Sequence, residues 1–283
     1  MSHTVSRRLF TSGALATAVG LALAACSKNN SGLPGGAKKN GDTVVISVGA
    51  TPQPHVTILQ YVQDNLVTGS GISLDIVEIN DYQTPNTSLA DGSLAANFFQ
   101  TPNYLAQQIA DKGFDFVSIA DVHIEPMGLY SSTITSVDQI PNGGKIILNS
   151  DPANAARGLQ LLVQAGLIEL DSSVELPSET DVTSNPKNLT FTFVDGAQVA
   201  RSMTDADAAV INGNYAIEAG LVPSEDALVL ETAENSPYVN QLVVRTEDKD
   251  DEHLATLAKL ITSPEVKTFI ETTWSDGSVI PAF

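Results

Sequence analysis

From Thr43 to the C-terminus, short β-branched runs alternate with stretches of helical period, and no other feature constrains the fold as much. The pattern predicts strands at 44–48, 73–79, 114–120, 145–148, 189–194 and 207–211. Helices are expected near 55–66, 104–112, 152–165, 252–261 and 265–274. Strands separated by helices of this length imply an α/β fold built on parallel sheets. Two extended stretches, 123–130 and 238–246, sit where one α/β pattern gives way to another, and read as crossings between two lobes. A chain that crosses twice returns both ends to one lobe. The expected lobes are therefore 43–125 with 240–283, and 126–239. A small molecule would then sit in the cleft between them, a preferred place for such sites.

The N-terminus carries an address. Arg7 and Arg8 precede an uncharged small-residue stretch, 11–25, which ends at Leu23-Ala24-Ala25-Cys26. These are the charged, apolar and small-residue regions of a secretory signal, expected over 1–25. Ser12, Gly13 and Gly20 interrupt the run, so it reads poorly as a permanent membrane span. The Leu-Ala-Ala-Cys ending resembles a bacterial lipobox, in which the cysteine is diacylated and becomes the mature N-terminus. The paired arginines resemble a twin-arginine export signal more weakly. Residues 26–42 read as the lipidated Cys26 followed by a flexible Gly/Asn-rich tether. The expected place is the extracytoplasmic face of the cell membrane, held by lipid.

Charge narrows the partners. Fourteen Lys and Arg stand against 33 Asp and Glu, a formal charge of −19. Losing Arg7 and Arg8 with the signal makes it −21. Nucleic acid is excluded as a partner, because affinity for it comes from neutralising phosphates. Anionic headgroups would repel such a surface, so membrane contact runs through the lipid on Cys26. With one cysteine, the exported body must hold by burial and hydrogen bonding alone.

No constellation of a familiar enzyme appears. The histidines (His3, His55, His123 and His253) are scattered, with no His-Glu-x-x-His, cysteine cluster, Gly-x-Ser-x-Gly or phosphate loop. Asp151-Pro152 is a strong helix start, and the free N–H groups of such a terminus suit a carboxylate. Arg157 lies about a turn and a half further and can reach back to close a bidentate bridge, or can simply be solvated. Phe99 and Tyr104 flank a strand-to-helix turn where Thr101 is expected to cap the helix; they form either an apolar slot or core. Asn212 follows a strand as a candidate N-cap, and Asn240 lies in the second crossing.

Six stretches in order resemble the methionine-binding lipoproteins of ABC importers, the NlpA lipoprotein family. They are 80–86 (Asn-Asp-Tyr-Gln-Thr-Pro-Asn), 97–109, 151–157, 185–189, 210–212 and 236–240. The resemblance implies a two-lobed periplasmic-binding-protein fold with two crossover strands, no catalysis and no cofactor. It implies capture of an amino acid, methionine foremost, and delivery to an ABC permease and its ATPase. It assigns the ligand carboxylate to Arg157, the ligand's backbone polar groups to Asn212 and Asn240, and the thioether to Tyr82, Phe99 and Tyr104. Thr101 stands where the family has histidine, and Asn149-Ser150 where it has Pro-Asn, so the side-chain pocket departs from the family pattern. A related amino acid or a methionine-containing dipeptide is the alternative ligand. A surface hydrolase or an interaction module is the alternative class.

Overall fold

The computed structural model describes residues 32–283; the signal and Cys26 lie outside the described residues. The chain opens with a hairpin, β1 (Ala37–Asn40) and β2 (Thr43–Ala50), then α1 (Thr57–Asn65), β3 (Ile72–Glu78) and α2 (Thr84–Ala90). β4 (Ala96–Gln100), α3 (Pro102–Lys112) and β5 (Phe116–Ile124) complete the first pass. The second lobe holds β6 (Gly128–Tyr130), β7 (Lys145–Asn149), α4 (Pro152–Gln164), β8 (Glu169–Leu170), β9 (Val182–Ser184) and β10 (Thr190–Val194). It continues through α5 (Gly196–Ser202), β11 (Ala208–Ile211), α6 (Gly213–Glu218), α7 (Pro223–Asp226) and β12 (Val229–Leu230). The chain then returns as β13 (Val239–Arg245), α8 (Glu252–Ile261), α9 (Pro264–Thr273) and β14 (Ile280–Pro281).

Two main sheets result. One runs β1-β2-β4-β13-β5-β14, with β3 on the far edge of β2; the other runs β10-β7-β11-β6-β12. Each has its own core. Ile46, Val48, Phe98, Leu242 and Val244 pack with Leu254, Leu257 and Ile270 in the first, and Ile146, Leu148, Leu159, Leu162 and Val210 pack in the second. The fold is α/β and two-lobed.

Three expectations change. The sheets are mixed rather than parallel: β13 is antiparallel to both β4 and β5, and β6 to β11. β13 arrives from the other lobe, so it enters the sheet against the direction of the strands it separates. Part of the stretch expected as a tether, 26–42, is strand, because Ala37–Asn40 pairs with Thr43–Ile46 across a two-residue turn. Gly41, at φ +62°, supplies the left-handed first position such a turn favours. Lys38 and Lys39 are exposed, so no apolar alternation marks that strand. The second crossing is 231–238, upstream of its expected place, and 239–245 already belongs to the first sheet.

Arg245, at the end of β13, is buried beside the chain's early residues. Its Nη1 donates to the carbonyls of Leu89 (2.6 Å) and Leu94 (2.8 Å), its Nη2 to Gly35 (2.9 Å), and its Nε to Asp248 Oδ2 (2.7 Å).

Candidate functional site

Tyr82, Phe99, Thr101, Tyr104, Arg157, Asn212 and Asn240 all line one narrow cavity between the two sheets. Gln100, Glu125, Asn154, Gly213 and Asn214 complete its wall.

Local sequence positions the second-lobe wall. Asp151 caps α4, accepting from the Asn154 N–H (2.9 Å) and Asn154 Nδ2 (3.0 Å), and Pro152 sets the first turn. Gly158 lets α4 lie close on the sheet; a Cβ there would stand 3.1 Å from Leu148 and 3.2 Å from Val210. Arg157 is thereby carried to the cavity, 5% exposed. Its Nε donates to Glu231 Oε1 (3.0 Å) and its Nη2 to Glu231 Oε2 (2.5 Å) and the Glu125 carbonyl (2.9 Å). The Tyr238 ring lies 4.1 Å from the guanidinium carbon. The bidentate edge expected for a ligand is therefore already held by Glu231. Nη1 is left without a hydrogen bond among the described residues.

The asparagines form a relay. Asn149 Nδ2 donates to Asn212 Oδ1 (3.2 Å), and Asn212 Nδ2 to Asn154 Oδ1 (2.7 Å). Asn212 occupies the N-cap position of α6 without a side-chain cap bond, because its amide is engaged across the lobe. Asn214 accepts from the Tyr82 hydroxyl (2.5 Å), while its buried Nδ2 has no partner. A buried donor without a partner is costly, and this one belongs to a residue of the cavity wall.

The opposite wall is aromatic. Tyr82, Phe99 and Tyr104 meet pairwise with centroids 5.8 Å apart, and Tyr215 stacks on Tyr82 at 5.0 Å. The slot's polar groups are engaged with protein: Tyr104 donates to the Tyr82 carbonyl (2.7 Å), and Thr101 to Asn103 Oδ1 (2.6 Å). The Thr101 hydroxyl therefore does not cap α3, correcting the expectation; the bond to Asn103 replaces it. Gln100 is tied to Asn86 and Asn97.

Behind the floor lies a buried cluster that sequence reading missed. His123 Nε2 is 2.6 Å from Glu125 Oε1, and His55 Nε2 lies 3.3 Å from the same oxygen and 3.1 Å from Asn240 Oδ1. Glu125 also accepts from the Asn214 backbone N–H. Their numbers, 55, 123, 125 and 240, carry no motif; only the sheet brings them together. The shortest contact, 2.6 Å, is a hydrogen-bond distance, whereas donors sharing a tetrahedral zinc sit roughly 3.3 Å apart. Thr51 Oγ1, His55 and Glu125 are ordered like a nucleophile, base and acid. Thr51 is wholly buried and absent from the cavity wall, so its hydroxyl meets no substrate.

Burial lowers His55 to about 4 and His123 to about 3, and raises the Glu125 carboxyl. On acidification the unfolded chain takes up protons near 6.5 that the folded histidines refuse, so their contribution falls as pH drops. Glu125 acts in the opposite sense, since its raised folded value makes ionisation costly as pH rises. His123→Gln should therefore flatten the acid limb of stability by about 1.4 kcal/mol per pH unit between about pH 6 and pH 4. Denaturant melts of both proteins across that range read the difference; equal slopes would refute it.

A profile of the NlpA lipoprotein family matches residues 46–283. The chain is 37% identical over 280 residues to the methionine-binding lipoprotein MetQ of Bacillus subtilis, covering 97% of this chain and 98% of that one. The D-methionine-binding lipoprotein MetQ of Salmonella typhi is 35% identical over 262 residues, covering 92% and 93%. A solved nutrient-binding protein of Burkholderia cenocepacia, bound to methionine, superposes with TM-score 0.81 at 38% identity, covering 84% of this chain and 100% of that one.

Proposed function

Because the chain belongs to the NlpA lipoprotein family, we propose that it is a lipid-anchored receptor that captures methionine for an ABC permease and its ATPase. One observation carries the reading. Arg157, whose Nη1 makes no hydrogen bond among the described residues, and Asn214, whose buried Nδ2 has no partner, line the cavity together with a buried acid, Glu125, and an aromatic slot whose hydroxyls are engaged. The donors suit a carboxylate, the acid suits an ammonium, and the rings suit a thioether that asks for no hydrogen bond. That is a zwitterionic amino acid with an apolar side chain.

The remaining assignments follow from it. Arg157 takes the carboxylate through Nη1 while Glu231 and Tyr238 hold it in place. Asn212 and Asn240 serve the ligand's backbone groups, and Tyr82, Phe99, Thr101 and Tyr104 enclose the side chain. The lobes, 43–125 with 240–283 and 126–239, close by a hinge at the crossings. Cys26 carries the anchor, placing the receptor on the extracytoplasmic face of the membrane. It works by binding, without a catalytic step.

Mass spectrometry of small molecules released from the denatured, natively purified protein is expected to find methionine. Calorimetric titration should give one site for L- or D-methionine. A different released molecule, with no heat from methionine or its dipeptides, would overturn the ligand. Thr101→Val should leave affinity within about threefold, because the lost hydroxyl serves Asn103 rather than the cavity. A tenfold change would place that hydroxyl against the ligand.

A further inference from the structure

His55 and His123 are too buried to touch a ligand, yet each faces a residue of the cavity wall. Their tautomers follow from their surroundings. His55 Nε2 faces two acceptors, Asn240 Oδ1 and Glu125 Oε1; its Nδ1 sits 2.7 Å from the Thr51 hydroxyl, which can donate, and the ring also interacts with the Gln53 backbone carbonyl. With two acceptors on Nε2, one of them a carboxylate, the proton belongs there. His123 Nε2 faces Glu125 Oε1, and its buried Nδ1 has no partner. An orphaned lone pair is tolerated better than an orphaned N–H, so the proton again belongs on Nε2. Phe98 packs edge-on against both rings, with centroids 4.7 and 5.3 Å away, and fixes their planes.

We propose that His55 and His123 are positioning residues that set the hydrogen-bond polarity of the cleft. His55 holds Asn240 Oδ1, so the Asn240 NH2 faces the cavity as a donor. His123 holds Glu125 Oε1, so that carboxylate is kept as an oriented acceptor for the ligand's ammonium. The proposal rests on the amino-acid reading above and deepens it: the cleft selects free, charged α-amino groups, and N-acylated analogues are rejected. The charged and titratable groups around the pair are Glu125, Arg157 and Tyr82, with Glu231 and Tyr238 behind Arg157. Burial pushes the Glu125 carboxyl up; the Arg157 charge, the Asn214 backbone N–H and the two ring N–H groups oppose that and favour the ionised form.

The test has two arms on the full chain purified in detergent. Imidazole nitrogen NMR of ¹⁵N-histidine protein, free of ligand, should show both rings neutral with the proton on Nε2 at pH 7. A charged ring, an Nδ1–H tautomer, or a stoichiometric co-purifying metal on these nitrogens overturns the proposal, whatever the ligand proves to be. The second arm titrates L-methionine and N-acetyl-L-methionine into wild type and into His55→Phe, His55→Gln, His123→Phe and His123→Gln. Phenylalanine fills the space without an N–H, and should weaken methionine binding about 30-fold; glutamine restores a donor and should recover it to within about fivefold. The penalty for N-acetylation should shrink in His123→Phe and persist in His55→Phe, a split that general loosening of the fold would not produce. A folded phenylalanine variant that binds methionine like wild type, with its penalty intact, refutes the proposal. Should the phenylalanine variants fail to fold, the nitrogen spectra of wild type and the glutamine variants decide. Wild type that binds no methionine refutes the function and leaves the tautomer result standing by itself.

Discussion

Arg157→Ala is expected to lower methionine affinity about a thousandfold, roughly 4 kcal/mol, as removal of one partner from a desolvated charge pair does. The substitution removes the cation that faces the cavity. It also leaves the Glu231 carboxylate, with a side chain only 12% exposed, without its guanidinium. Stability should fall with it, by about 3 kcal/mol, because an unpaired buried charge is costlier than no pair. The two losses can be separated. Arg157→Ala with Glu231→Gln should recover much of the stability and none of the affinity, since the amide needs no counter-charge yet supplies nothing to a carboxylate. Arg157→Lys should rescue little: one ammonium cannot serve Glu231, the Glu125 carbonyl and a ligand from a single point. Titration calorimetry and denaturant melts read both quantities, and unchanged affinity in Arg157→Ala would remove the carboxylate contact from the account.

Arg245→Leu should have the opposite profile. This guanidinium joins three carbonyls, of Gly35, Leu89 and Leu94, to Asp248. It ties the end of β13 to the segment before β1, to the last turn of α2 and to the segment between α2 and β4. Leucine strands the Gly35 and Leu94 carbonyls and the Asp248 carboxylate, and leaves the Leu89 carbonyl only its backbone donors, such as the Gly92 N–H (3.3 Å). A loss of about 3–5 kcal/mol in unfolding free energy is expected. Methionine affinity of the folded fraction should stay at the wild-type value, since Arg245 lies outside the cavity wall. A loss below about 1 kcal/mol would show that water satisfies those groups.

These two arginines differ in how much of their surroundings is legible in the sequence. Each has acidic residues near it in sequence or space, and each is mostly buried. Asp151-Pro152 told where α4 begins, and hence where Arg157 stands on it, because a cap and a first-turn proline act over three or four residues. The aromatic set around Phe99 and Tyr104 was legible for the same reason. Glu231 was not: it follows Arg157 by 74 residues and lies in a crossing placed too far downstream from sequence. Asn214 sits two residues from Asn212, and the paired asparagines flanking Gly213 were the signal that could have found it. Gly213 itself is required by approach, since a Cβ there would stand 2.6 Å from the Glu125 Cβ.

By itself the sequence determined the local periods, the helix starts and the charge balance, which together specify an α/β body; the expected signal over 1–25, ahead of Cys26, is read from the same kind of local pattern. Those properties depend on residues within a turn or two of each other, or on composition alone. Tertiary structure decided the polarity of the sheets, the partner of each arginine, and the meeting of His55 with Asn240. The His55–Asn240 contact spans 185 positions. Hydrogen-bond polarity and charge pairing depend on distances of about 3 Å, and across such separations only the closed chain sets them.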